Sequence, residues 1–103
     1  MINKQQLKYL RSLAHDRKPI IWIGQHGLTD NVKEEINIAL EHHELIKIKL
    51  RVGDRETRDK VCDAICAGSK AALIQKIGNT VTIYRHNDEA PVIQFSKKAL
   101  STS

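Results

Sequence analysis

Aromatic residues are few: Tyr9, Trp22, Tyr84 and Phe95 are the only rings of that kind in 103 residues. A surface that binds by stacking a long run of bases needs more of them. Cysteine is scarcer still. Cys62 and Cys66 are too few for a disulfide scaffold. They share one helical face, and no His or Cys pattern at ligand spacing completes a site around them, so they are expected to pack in a core and hold no metal. No apolar run approaches the roughly 20 residues that span a bilayer. The stretch after Met1 is broken by Lys8 and Arg11, unlike the apolar region of a signal peptide. A reducing cytoplasm and no membrane contact are therefore expected. There is no Walker A sequence, no HExxH and no nucleophile beside a local base, so neither catalysis nor a cofactor is expected.

What is present is positive charge. Seventeen Lys and Arg stand against twelve Asp and Glu, a formal +5 with a pI near 9.4. The length suits one domain with one core. Residues 1–29 carry +4, residues 30–44 carry −4 and residues 45–103 carry +5. Such a chain has a positive and a negative side, which would orient it on a polyanion. With rings scarce, phosphates are the expected point of contact.

Periodicity places the elements. Leu7, Leu10, Leu13 and Ala14 mark an amphipathic helix over 4–15, with Lys4, Lys8, Arg11 and His15 as a second, basic stripe. Pro19 closes it. Ile20 to Ile23 is a continuous apolar run, as in a strand covered on both faces, which puts Trp22 in the core. A helix over about 30–43 can be capped by Thr29 or Asn31, with Val32, Ile36, Ala39, Leu40 and His43 inward. Its end, His42-His43-Glu44, lets imidazoles meet the last carbonyls.

Residues 45–52 alternate cleanly. Ile46, Ile48, Leu50 and Val52 point one way, and Lys47, Lys49 and Arg51 the other. A third helix runs from Arg55 to about Ala67 with Gly68 as its stop. Strands at 72–77 and 80–85 flank the hairpin signal Gly78-Asn79. Residues 1–86 form the expected domain and 87–103 an extension, with Pro91–Phe95 a short edge strand and Lys97–Ser103 a frayed tail.

The order α-β-α-β-α-β-β is that of an α/β (α+β) fold of two-layer type. Its four-stranded sheet is mixed, because the last strand turns back antiparallel. Two crossovers in one direction put the second and third helices on one face. The N-terminal helix is expected to cover the other face near the first strand, leaving the cations of the second strand in water.

Gly24-Gln25-His26-Gly27 leads from a strand into a helix. Two glycines permit close approach of a ligand to the backbone, and the helix N-terminus attracts phosphate. A plain strand-to-helix turn is the alternative reading, since glycine is common there. Lys47, Lys49 and Arg51 repel one another at alternate positions and gain from a polyanion. With Lys4, Lys8, Arg11 and Lys18 they compose the expected basic field. The rival reading is a protein-docking module that uses the acidic second helix.

Three segments in order carry a resemblance: Ile23-Gly24-Gln25-His26-Gly27-Leu28-Thr29, Glu44-Leu45-Ile46-Lys47-Ile48-Lys49 and Ile77-Gly78-Asn79-Thr80-Val81-Thr82-Ile83-Tyr84-Arg85. Together they resemble the CRM domain (chloroplast RNA splicing and ribosome maturation) over about residues 4–86, and in particular the bacterial stand-alone YhbY family. The resemblance implies a fold like the C-terminal domain of bacterial translation initiation factor three. It also implies RNA binding, with a GxxG loop comparable to the backbone-clamping loop of KH domains. For bacterial members it implies association with precursors of the large ribosomal subunit. With few rings to stack bases, structured RNA is the expected target, bound by a monomer. Many members carry a basic residue inside this loop. Here the pair is Gln25-His26, which leaves the backbone amides as the main contact, with His26 adding charge only at lower pH.

Overall fold

A computed structural model of the protein describes residues 2–95; the tail expected at Lys97–Ser103 lies outside these. Each helix starts on a side-chain cap. In α1 (Lys4–His15) Asn3 Oδ1 accepts from the Gln6 amide at 2.7 Å and Gln6 Oε1 accepts from the Asn3 amide at 3.0 Å, a reciprocal capping box. In α2 (Asp30–His43) the cap is Thr29, whose hydroxyl accepts from Val32, so Asn31 already lies within the helix. In α3 (Arg55–Ser69) Asp54 accepts from Thr57. Gly68 does not stop α3. The helix runs through it to Ser69, and Lys70 takes the left-handed cap at φ +55. Ser69 Oγ donates to the Ile65 carbonyl within this last turn.

The strands β1 (Ile21–Ile23), β2 (Leu45–Leu50), β3 (Ala72–Ile77) and β4 (Thr80–Tyr84) form one mixed sheet in the order β1-β2-β4-β3. β1 and β2 are parallel, and β4 is antiparallel to both β2 and β3. Gly78 at φ +58 supplies the positive dihedral that a tight hairpin needs. A register shift between Leu73 and Gln75 interrupts the β3 edge.

Both crossover helices lie on one face. Ile21, Ile23, Ile46, Ile48, Leu50, Val81 and Ile83 meet Ile36 and Leu40 of α2 and Cys62 and Ile65 of α3 there. His43, expected inward, is exposed on α2. The second core, on the opposite face, departs from expectation. α1 packs on β2 and β3, burying Leu10 and Ala14 against Leu45, Ile74, Tyr84 and Ile93. The N-terminal helix therefore covers the starts of β2 and β3 and the end of β4, and not the neighbourhood of β1. Trp22, expected in the core, is 52% exposed between buried Ile21 and Ile23. The apolar run marked a strand correctly, but a continuous run cannot say how far the covering helix reaches.

Residues 91–95 are not a strand. Pro91 has no amide to offer a ladder, and the Val92 and Ile93 amides both donate to one carboxylate, that of Glu44.

Candidate functional site

Strand alternation and register assemble one open surface. Trp22 pairs with Lys49, Lys49 with Thr80 and Thr80 with Ile77, so these four form a row across the sheet. The next row is Lys47, Thr82 and Gln75, in which Thr82 is buried between two half-buried neighbours. Both rows are on the face that carries α1, beyond the end that α1 covers. Lys47 and Lys49 are half-buried along their stems, and Arg51 is exposed just past β2.

The Gly24–Gly27 loop sits at the rim of this surface. Arg51 N donates to the Ile23 carbonyl at 2.7 Å and Leu50 N to the Asn79 carbonyl at 2.7 Å. The loop, Arg51 and the Gly78-Asn79 turn thus gather at one end of the sheet. Gly27 N donates to the Gly24 carbonyl at 3.0 Å, closing a tight turn that exposes Gln25 and His26.

The two glycines differ in kind. Gly27 has φ +69, a conformation the turn itself requires. Gly24 has no positive φ, and a Cβ built there meets nothing within 4 Å. Nothing inside the fold demands glycine at position 24. Gly24→Val is therefore expected to keep thermal stability within about 0.5 kcal/mol of the parent, whereas Gly27→Val strains the left-handed turn by about 1–2 kcal/mol. Paired thermal melts check this difference.

Helix α2 follows the loop with a mixed electrostatic character. Its dipole favours an anion, but Asp30 stands in the first turn and Thr29 already occupies the Val32 amide. The rest of α2 packs on the opposite face of the sheet, so its Glu34, Glu35 and Glu41 are set apart from the open surface.

The other basic residues of the expected field lie on α1 and its link to β1. Lys4, Lys8 and Arg11 are exposed on α1, and Lys18 is exposed in the link to β1. Arg11 also has an internal role: its Nε donates to the Ile74 carbonyl at 3.2 Å, at the interrupted edge of β3. Arg17, not singled out by the sequence, donates from Nη1 to the Leu45 carbonyl at 2.6 Å and ties the end of α1 to β2.

Glu44 was the residue the sequence concealed. Counted among the charges of an acidic helix, it is 0% exposed, with φ +61 at the helix end. Its Oε1 accepts from Val92 at 2.7 Å and Ile93 at 2.6 Å, and its Oε2 from Asn87 at 2.6 Å. His86 Nδ1 lies 3.1 Å from Oε2. Burial and the neighbouring Glu44 charge push the Tyr84 phenol up to about 12. One signal was available: a carboxylate at a helix C-terminus opposes the dipole, and such a local conflict asks for a tertiary partner.

The described residues contain no group of three or more His, Cys, Asp or Glu placed to hold a metal ion. None of their helices is long and apolar enough to cross a membrane.

The family model of the CRS1/YhbY (CRM) domain matches residues 2–85, nearly the whole described chain. The protein belongs to the CRS1/YhbY (CRM) domain family. Among relatives of this CRM protein, one from Haemophilus influenzae named "RNA-binding protein" is 42% identical over 97 residues, covering 94% of this chain and 97% of the relative. "Probable RNA-binding protein YqeI" of Bacillus subtilis is 37% identical over 95 residues, covering 92% and 99%. The solution structure of the Staphylococcus aureus protein SAV1595 superposes with a TM-score of 0.77 at 32% identity, covering 93% of this CRM chain and all of that one. The α+β architecture with a four-stranded mixed sheet is thus shared with a solved relative.

Proposed function

We propose that this CRM protein binds structured RNA, without catalysis, on precursors of the large ribosomal subunit, acting as a monomer in the cytoplasm. The observation that carries the reading is the half-open sheet face. Lys47, Lys49 and Arg51 project there beside the glycine loop, while the acidic helix lies on the far side. A polyanion meets the positive side and is repelled from the other. The family match and the relatives named for RNA binding support RNA as that polyanion.

In this reading residues 1–86 are the binding domain and 87–103 an extension, whose residues Asn87, Val92 and Ile93 tie it to Glu44. Gly24 to Gly27 lets the backbone approach a phosphate, with Gln25 and His26 at the exposed corner. Lys4, Lys8, Arg11 and Lys18 add to the field from α1 and its link. Affinity for a ribosomal RNA fragment should fall steeply with salt, log K dropping by roughly 0.7–0.9 per phosphate neutralised for each unit of log salt. Fluorescence anisotropy across a salt series measures it, and a flat response would overturn the reading. Crosslinking in cells, followed by sequencing of the attached RNA, tests the assignment to the large-subunit precursor.

The same assay tests the loop. Gly24→Val is expected to lower RNA affinity about tenfold, comparable to losing one charge-assisted backbone contact. Unchanged affinity would leave the loop as a plain turn.

A further inference from the structure

Trp22 is an unusual resident of the short edge strand β1. Its neighbours Ile21 and Ile23 are buried, yet more than half of the indole-bearing residue faces water. Ile20, which precedes it on the same side and whose amide donates to the Lys47 carbonyl, is 44% exposed. Ile77, at the other end of the row, is 65% exposed. Large apolar groups left exposed on one face, here Trp22 and Ile20 at one edge and Ile77 at the other with Lys49 and Thr80 between, mark an interaction surface.

The chemistry of the rim says what fits. Among the strand positions on this face Lys47 and Lys49 supply positive charge and there is no carboxylate. Beside Lys47, toward the β3 edge, lies a groove of about 240 Å³ lined by Pro19, Lys47, Gln75, Ile77, Thr80 and Thr82. A flat ring, two ammonium groups and a groove with hydroxyl and amide side chains match the three parts of a nucleotide. The base has a π-face, the phosphate a charge, and the base edge its donors and acceptors. A duplex, whose bases are already stacked, offers nothing to the ring.

We propose that Trp22 is the stacking platform for one unpaired base of the bound RNA, with Lys49 and Lys47 holding the adjoining phosphates. The occupant is a looped or bulged nucleotide within a structured RNA. The proposal rests on the RNA-binding reading of this face and gives it a specificity element that phosphate contact alone lacks.

The protein has a single tryptophan, so its own fluorescence reports on the platform. The probes are an RNA hairpin with a short unpaired loop and a blunt duplex of the same stem sequence. Each is followed by tryptophan emission and by anisotropy of a labelled RNA end. The hairpin should quench Trp22 emission and the duplex should not. Trp22→Ala should weaken hairpin binding about tenfold and leave duplex binding unchanged. Trp22→Phe should restore most of the loss, and circular dichroism should be native for both variants.

If the hairpin binds, and Lys47→Glu with Lys49→Glu weakens it, but Trp22 stays unquenched and Trp22→Ala changes nothing, the platform is overturned and the RNA-binding reading stands. If neither RNA binds, both fail. Emission that shifts to the blue with protein concentration alone, together with a dimer in sedimentation that Trp22→Ala dissolves, would assign the face to a second copy and overturn the platform.

Discussion

Glu44→Ala is expected to destabilise the protein by roughly 3–5 kcal/mol, the scale seen when one partner of a buried charged network is removed. Against a total of about 5–15 kcal/mol for a domain, that is a large fraction. The reason is the number of groups that depend on one side chain. The Asn87, Val92 and Ile93 amides all donate to this carboxylate, and the Ile93 side chain is part of the second core with Leu10, Leu45 and Tyr84. Losing the acceptor leaves the Ile93 amide buried without its partner and releases the segment that closes this core.

Glu44→Gln separates charge from shape. One side-chain oxygen survives, but the new amide NH2 group confronts an N–H donor, so a loss of about 2–3 kcal/mol is expected. Urea unfolding measures both variants. The pH dependence is a sharper check. Burial by itself would raise the Glu44 carboxyl above its usual 4.5. The bonds from Ile93, Asn87 and Val92, with the His86 charge added, outweigh burial and hold it below that value. The folded protein therefore binds this proton more weakly than the unfolded chain. The contribution is complete above about pH 4.5 and is lost as pH falls through the lower, folded value. The stability gap between parent and Glu44→Gln should narrow in acid. A gap that stays constant from neutral pH to acid would show that the carboxylate's charge has no part in holding the segment.

Reversing Lys47, Lys49 and Arg51 together to Glu is expected to weaken RNA binding roughly 100- to 1,000-fold near 0.1 M salt. Three lost phosphate contacts should also reduce the salt slope by about 2–3. The fold should survive, since Lys47 and Lys49 are only half-buried and Arg51 is exposed, and none of the three side chains belongs to either core. Anisotropy with a ribosomal RNA fragment, repeated at several salt concentrations, reads both quantities. A triple variant that retains the parent slope would place the RNA elsewhere, with the stripe Lys4, Lys8 and Arg11 as the next surface to reverse.

Much of this architecture is legible along the chain. The alternation of Leu45 to Leu50 marks a strand with two unlike faces, and the structure puts Ile46, Ile48 and Leu50 in one core. The same strand also shows the limit. Leu45 enters the second core while Lys47 and Lys49, on its side of the sheet, remain open. One helix, α1, ends between them. Its position depends on Arg11 reaching the Ile74 carbonyl and Arg17 reaching that of Leu45, contacts separated by 63 and 28 residues. The glycine loop is similar. Its residues are plain in the sequence, but only the backbone distinguishes Gly27, which the turn requires, from Gly24, which it does not.

By itself the sequence determined the type and order of the elements and the charge asymmetry, because caps, turns and hydrophobic period act between residues near one another in the chain. Tertiary structure decided the strand order β1-β2-β4-β3, the exposure of Trp22 and the burial of Glu44. Each of these depends on which distant segment covers a given face. A tryptophan is core or platform according to where a helix stops, and a carboxylate is surface charge or anchor according to which amides reach it.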